Sequence, residues 1–293
     1  MKLALSFLKR AGLTGLALTI IFSLPMGQAR AESDPDYFTA LQKRLIADDF
    51  NADLINDIFD SSAITFDIDG ISAYFRHRES TLNYDQFLSA KSLRSARNYM
   101  ETHKEALASA EKEYGVDKSV ITAVMLVETR LGTYVGNRSV INTLATMAAL
   151  TDDDVRERFW RNLPEDVDIT REKFEKKADQ KSQWAYRELK AFIEYVDSEN
   201  FNPHDIQGSY AGAMGIAQFM PSNVLLFAED GNGDGRINLF DHGDAIASIA
   251  NYLKHYGWKP GLSREAAGDV IYHYNHSKYY VNIVLKIADK LKG

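Results

Sequence analysis

Glu128 closes the apolar run Val120-Ile-Thr-Ala-Val-Met-Leu-Val. At helical spacing it shares a face with Val124 and Met125. A carboxyl in apolar surroundings holds its proton more tightly, because desolvation penalises the charged form. A carboxyl protonated near neutral pH can act as a general acid. Taken alone, the segment fits better a buried glutamate paired with Arg130 or Arg138, or one that escapes to solvent at the helix end. A second stretch, Gly208-Ser-Tyr-Ala-Gly-Ala-Met-Gly-Ile-Ala-Gln-Phe-Met-Pro221, mixes three small-residue gaps with polar and apolar contacts. Gly208, Gly212 and Gly215 permit close backbone approach. Ser209 and Gln218 offer hydrogen bonds, and Met214, Phe219 and Met220 offer apolar surface. A sugar-binding wall needs that mixture; tight helix packing would use the same small residues.

A third pattern is ionic. Asp230, Asn232 and Asp234 stand at positions 1, 3 and 5 of a loop, with Gly235 at 6. This is how an EF-hand begins, with alternate oxygens facing one cation and a glycine for the sharp turn. Arg236 would add its backbone carbonyl at position 7. Position 12 is Asp241 rather than Glu, and Asp244 follows at 15. All side-chain donors are hard oxygens, so the expected ion is a structural Ca2+. A surface turn rich in Asp and Gly is the other reading. The Asp152-Asp-Asp154 run reads as a helix cap or solvated turn rather than a second catalytic acid. His273 and His276 stand three apart without a third ligand. No G-x-S-x-G, H-E-x-x-H or Walker pattern is present.

Helices must position these groups. Periodicity predicts amphipathic helices at 37–46 and 52–59, a possible extended arm at 64–71, and a long helical stretch at 87–114 stopped by Gly115. Asp117 is the expected N-cap of a helix carrying Glu128, ending near Gly132. Further helices are expected at 140–150, 171–196, 213–219, 245–256, 266–274 and 280–291. The fold class is mainly α.

Composition bounds the rest. The chain has 293 residues, a formal net charge of −7 and no cysteine. The charge, with no basic tail, argues against nucleic acid as a partner. The absence of Cys removes disulfides, thiol nucleophiles and a lipidated cysteine. Lys2, Lys9 and Arg10 precede an apolar stretch from Ala11 to Leu24, and Ala29-Arg-Ala31 follows. This reads as a signal peptide over residues 1–31, leaving no membrane anchor after cleavage. Residues 32–85 form an N-terminal extension, and 86–293 the main region with its loop at 230–244.

Taken together, the Glu128-Thr-x-x-Gly132 element, the 208–221 stretch, Asp230–Asp241, Asn251-Tyr-Leu-Lys-His-Tyr-Gly-Trp258 and Tyr274-Asn-His-Ser with Tyr280 resemble the lytic transglycosylase B family of peptidoglycan-cleaving enzymes. The resemblance runs from about Leu88 to the C-terminus in unbroken order. It implies a lysozyme-like helical core with a glycan groove. It also implies cleavage between N-acetylmuramic acid and N-acetylglucosamine, closing a 1,6-anhydro end without water. Glu128 matches the single catalytic acid, and Ser209, Met214, Gln218 and Phe219 match groove positions. Tyr252, Tyr274, Asn275 and Tyr280 match further groove or flanking positions, with Tyr274 a candidate to hold Glu128. The family's longer calcium loop makes Asp244 the closing ligand and leaves Asp241 to cap the next helix. The expected partner is the peptidoglycan glycan strand, alongside unspecified cell-wall synthesis or division proteins. The expected location is soluble periplasm. A hydrolytic muramidase, or a non-catalytic peptidoglycan-binding protein, remains the rival reading.

Overall fold

A helix apolar on every side has to be wrapped. In the computed structural model, which describes residues 36–76, 84–165 and 167–292, that helix is α6 (Lys118–Thr129), whose residues from Ser119 to Leu126 are all buried. Before it come α1 (Thr39–Ala47), α2 (Ala52–Phe59), α3 (Ile68–Arg76), a short 3-10 helix at Tyr84–Leu88, α4 (Ala90–Thr102) and α5 (Lys104–Tyr114). After it come α7 (Val140–Ala149), α8 (Asp153–Arg161), α9 (Arg171–Ser198) and α10 (Pro221–Phe227). The chain ends with α11 (His242–His255), α12 (Arg264–Tyr274) and α13 (Lys278–Lys292). Helices α4, α5, α11 and α13 pack around α6, and α7 lies along α9 with α1 and α3 against its far side. Tyr37–Gly293 make one compact unit. The signal-peptide reading at 1–31 lies outside the described residues.

Several expected elements change form. The stretch at 87–114 is two helices, because the backbone at His103 turns to φ −108°, ψ 27° and ends α4. The expected helix at 213–219 is instead a folded-back loop, with bridges Gly208–Met214 and Met214–Phe219. Gly212 and Gly215 there take φ of +90° and +72°, which helix geometry forbids. The next helix starts only at Pro221. The arm expected at 64–71 has no regular structure as far as Asp67 and is helical from Ile68. Asp117 occupies the N-cap position of α6 without capping it, and its carboxylate pairs with Lys292 at 3.2 Å. Asp152 is a helix cap as expected, accepting from the amides of Asp154 and Val155.

The one described sheet is a pair of two-residue strands, β1 (Arg138–Ser139) and β2 (Gln207–Gly208), antiparallel with Arg138 opposite Gly208. It fastens the loop after α6 to the start of the glycine-rich segment. Gly136, at φ +98°, approaches so closely that a Cβ there would stand 2.0 Å from the Gly208 carbonyl oxygen.

Candidate active site

Glu128 sits in the last turn of α6, where the buried helix reaches the surface. Two non-glycine residues beyond it, Arg130 and Leu131, have φ of +51° and +63°. This sharp end is held by the buried Thr129. Its hydroxyl donates to the Ile216 carbonyl at 3.0 Å and accepts from the Gly132 amide at 2.9 Å. The acid's helix is therefore tied directly to the glycine-rich segment 87 residues downstream.

A cavity of about 580 Å3 opens beside Glu128. Ser209, Gln218, Asn275 and Tyr280 line it with the acid. Tyr84, Gln86, Phe87 and Tyr134 line it too, and the sequence had not pointed to them; so do Tyr210, which lies inside the glycine-rich motif, and Arg138, read from the sequence only as a possible partner of Glu128. Tyr134 carried a readable signal only in retrospect, as a large aromatic residue left 62% exposed close after the acid. Glu128 is the one carboxylate among the described lining residues.

Tyr280 donates its hydroxyl to Glu128 Oε1 at 2.6 Å. Burial, reinforced by the adjacent Glu128 charge, pushes the Tyr280 hydroxyl well above its ordinary value, so it stays a donor. Tyr274, the expected holder of the acid, does something else: its hydroxyl donates to the Ala217 carbonyl at 2.5 Å. The two rings lie parallel, 6.3 Å apart. Tyr274 thus braces the loop next to Gln218 while Tyr280 meets the acid.

Met214, Phe219, Tyr252 and Tyr274 do not line the cavity. Met214, Phe219 and Tyr252 are buried. Phe219 stacks at a tilt on Tyr252 and Tyr274, and the Tyr252 hydroxyl donates to the His273 carbonyl at 2.7 Å. They form an aromatic backing behind the wall. Their apolar type told the sequence that they contact something, but not which side of the wall they face. Gln218, with φ +51°, spends its amide on the carbonyls of Val135 and Gly215 at 3.0 and 2.9 Å. The Ser209 hydroxyl accepts from the amides of Ala211 and Ala213. Both predicted wall residues thus shape their own loop as well as facing the cavity.

The loop at 230–244 is organised by amides aimed at acids. Asp230 accepts from the amides of Gly233, Asp234 and Gly235. Asp244 is fully buried and accepts from Gly231, Asn232 and Asn238. Burial nevertheless holds its carboxyl above the usual range, against the lowering effect of those amides. Asn232 and Asp234 accept from the amides of Asp234 and Arg236. Asp241 caps α11 through Gly243 and Asp244, as expected. Donor type and turn geometry suit a hard cation. Among the described residues, however, no three His, Cys, Asp or Glu side chains gather as a metal cage.

The chain is 31% identical over 189 residues to membrane-bound lytic murein transglycosylase B of Escherichia coli (strain K12), an alignment covering 64% of this chain and 43% of that protein. It thus spans less than half the length of that relative. Among solved structures, SltB3 from Pseudomonas aeruginosa in complex with NAG-anhNAM-pentapeptide superposes with a TM-score of 0.69 at 21% identity, over 87% of this chain and 78% of that one. The Escherichia coli lytic transglycosylase Slt35 in complex with calcium does so at 0.69 and 22%, over 88% and 93%. These likenesses give the fold, a mainly helical lysozyme-like one. The family profile described as transglycosylase SLT domain matches residues 33–267, reaching back through the segment before 85 where the sequence motifs fell silent. With four fifths of its length inside that match, the chain belongs to the transglycosylase SLT-domain family.

Proposed function

We propose that the protein is a lytic transglycosylase that cuts the β-1,4 bond between N-acetylmuramic acid and N-acetylglucosamine in peptidoglycan. The observation that carries this is Glu128, the one carboxylate among the described residues of a cavity lined with amides, hydroxyls and aromatic rings, engaged by Tyr280. Ordinary glycosidases need two carboxylates across the scissile bond, and substrate-assisted ones need fewer. Glu128 in its acid form gives its proton to the glycosidic oxygen as the C1–O4 bond breaks. The N-acetyl oxygen of the substrate stabilises C1. The carboxylate then takes the proton of the muramic C6 hydroxyl as that oxygen bonds to C1, leaving a 1,6-anhydro end. Family membership and the likeness to a lytic murein transglycosylase of Escherichia coli support the same reading.

Ser209, Gln218 and Asn275 hold the glycan, Tyr280 orients Glu128, and Met214, Phe219, Tyr252 and Tyr274 support that wall from behind. The loop at 230–244 takes a structural Ca2+ through Asp230, Asn232, Asp234, Asp244 and the Arg236 carbonyl, a reading supported by donor type and by the calcium complex of Slt35. The ion steadies the link between α10 and α11 and takes no part in the reaction. Residues 1–31 direct export and 32–85 extend the 86–293 region, giving a periplasmic protein. In the described residues no helix is long and apolar enough to cross a membrane.

The deciding experiment is mass spectrometry of peptidoglycan digested by the protein, beside Glu128→Gln. The amide keeps the shape and removes the transferable proton, so the variant should lose at least about a thousandfold in turnover while still binding glycan. Muropeptides one water lighter than hydrolysis products are expected from the wild type. Reducing ends in their place would make it a muramidase. Binding without any product would make it a scaffold.

A further inference from the structure

One charged contact at the cavity is left unused by the reaction. Arg138 is the one basic residue among the described residues lining the cavity that holds Glu128. Its place is fixed from both sides. On β1 it stands opposite Gly208, beside the wall residue Ser209. From the other side, Nη1 donates to both oxygens of Asp67, at 3.0 and 3.1 Å.

Asp67 comes from the segment ahead of the main helical body, and it is itself held. Its amide donates to Thr146 Oγ1 at 2.9 Å, and its Oδ1 accepts from the Gly70 amide at 2.9 Å. Just upstream, Asn142 on α7 accepts from the Thr65 amide and donates to the Ala63 carbonyl and Thr65 Oγ1. A side chain at Gly70 would strike the Asp67 carboxylate, with Oδ2 2.1 Å from its Cβ. The backbone is thus shaped around this ion pair.

The pair is lopsided. The Arg138 side chain is 35% exposed and that of Asp67 19%. Only Nη1 has protein acceptors among the described residues, which leaves Nε and Nη2 without one on a residue that lines the cavity. A guanidinium pinned at one corner, with further donors in its plane, is arranged to receive a carboxylate.

We propose that Arg138, positioned by Asp67, binds a carboxylate of the peptide stem attached to the glycan strand. This rests on the reading of the groove as a peptidoglycan site. The glycan's sugar rings carry no negative charge of their own apart from the muramic acid's lactyl group, which the stem occupies as an amide. A carboxylate near the cleaved bond therefore belongs to the peptide. The N-terminal segment acquires a task on this reading: it makes the enzyme prefer strands that still carry their stems.

The test is a binding measurement on the full chain carrying Glu128→Gln, so that no ligand is consumed. The probes are an N-acetylglucosaminyl-N-acetylmuramyl peptide with its carboxylates free and the same compound with them converted to amides. The free acid should bind about tenfold more tightly than the amide, since a hydrogen-bonded charge is lost. Adding Arg138→Gln should erase that ratio, and Arg138→Lys should restore part of it. Thermal melting should fall only modestly, because the Asp67 carboxylate keeps its bond from the Gly70 amide when the guanidinium is lost. An equal affinity for both probes in the parent protein overturns the proposal. So does an Arg138→Gln variant that weakens both probes by the same factor. Wild-type digestion of intact peptidoglycan tests the reaction separately. Anhydro products without the binding preference remove Arg138's role and leave the reaction standing; the preference without products does the reverse.

Discussion

A phenol 2.6 Å from a carboxylate oxygen is worth a direct test. Tyr280→Phe keeps the ring parallel to Tyr274 and deletes only the donor. We expect kcat to fall about tenfold to a hundredfold with KM little changed, because the bond orients the acid rather than the sugar. Unchanged kcat would reduce Tyr280 to a packing residue. Tyr274→Phe should differ in kind. It frees the Ala217 carbonyl next to Gln218, so KM should rise more than kcat falls. Of these residues the sequence showed types well and partners poorly. Glu128 was legible because an acid at the end of an apolar helix is anomalous. Tyr274 and Tyr280 were both visible, but which hydroxyl meets Glu128 depends on the angle at which α13 crosses α6. Arg138 was legible only as one possible partner of Glu128. Its actual partner, Asp67, lies 71 residues away.

Among the elements, two joints carry testable consequences. The break between α4 and α5 brings His103 against Tyr99 and His242, with the Tyr99 hydroxyl 2.9 Å from His242 Nδ1. Burial lowers the affinity of both histidines for a proton; for His103 the neighbouring His242 adds to this, while Asp241 opposes it at both. A histidine depressed in the folded state binds its proton more readily once unfolded. The stability it supports is therefore complete above the ordinary value of 6.5 and is lost as pH falls below it. The melting temperature should drop between pH 7 and 5, and His103→Phe should flatten that slope. An unaltered slope would move the sensitivity elsewhere. At the second joint, Gly136→Ala would drive a Cβ into the Gly208 carbonyl at a positive φ. The expected cost is about 2 kcal/mol or more, read as a lowered denaturation midpoint. Helix periods foretold most of the helices to within a few residues. They failed at His103, where no glycine or proline marks the break. They failed again at 213–219, where small apolar residues imitate a helix and positive-φ glycines fold the chain back.

At the scale of the whole molecule, the loop at 230–244 joins α10 to α11, so an ion there should act on global stability. Added Ca2+ should raise the melting temperature of the wild type, and a chelator should reverse the rise. Asp234→Asn, which keeps an oxygen for the Arg236 amide, should shrink the rise. Asp230→Ala is a poorer probe, because three loop amides lose their acceptor with or without calcium. No shift with Ca2+ in the wild type would remove the ion from the account. The mainly α class was plain from periodicity. The packing of the first three helices was not, since it depends on Asn142 and Thr146 reaching back to residues 63–67. One consequence of the Tyr280–Glu128 contact concerns how the protein is made. The two residues are 152 positions apart, and the donor sits in the final helix. A chain still being synthesised, or one cut short before Lys278, carries the acid without its phenol and α6 without the helix that covers it. On the proposed function, such a chain would lack both the donor to Glu128 and the helix packed on α6, so cleavage should be strongest once Lys278–Lys292 have folded into place.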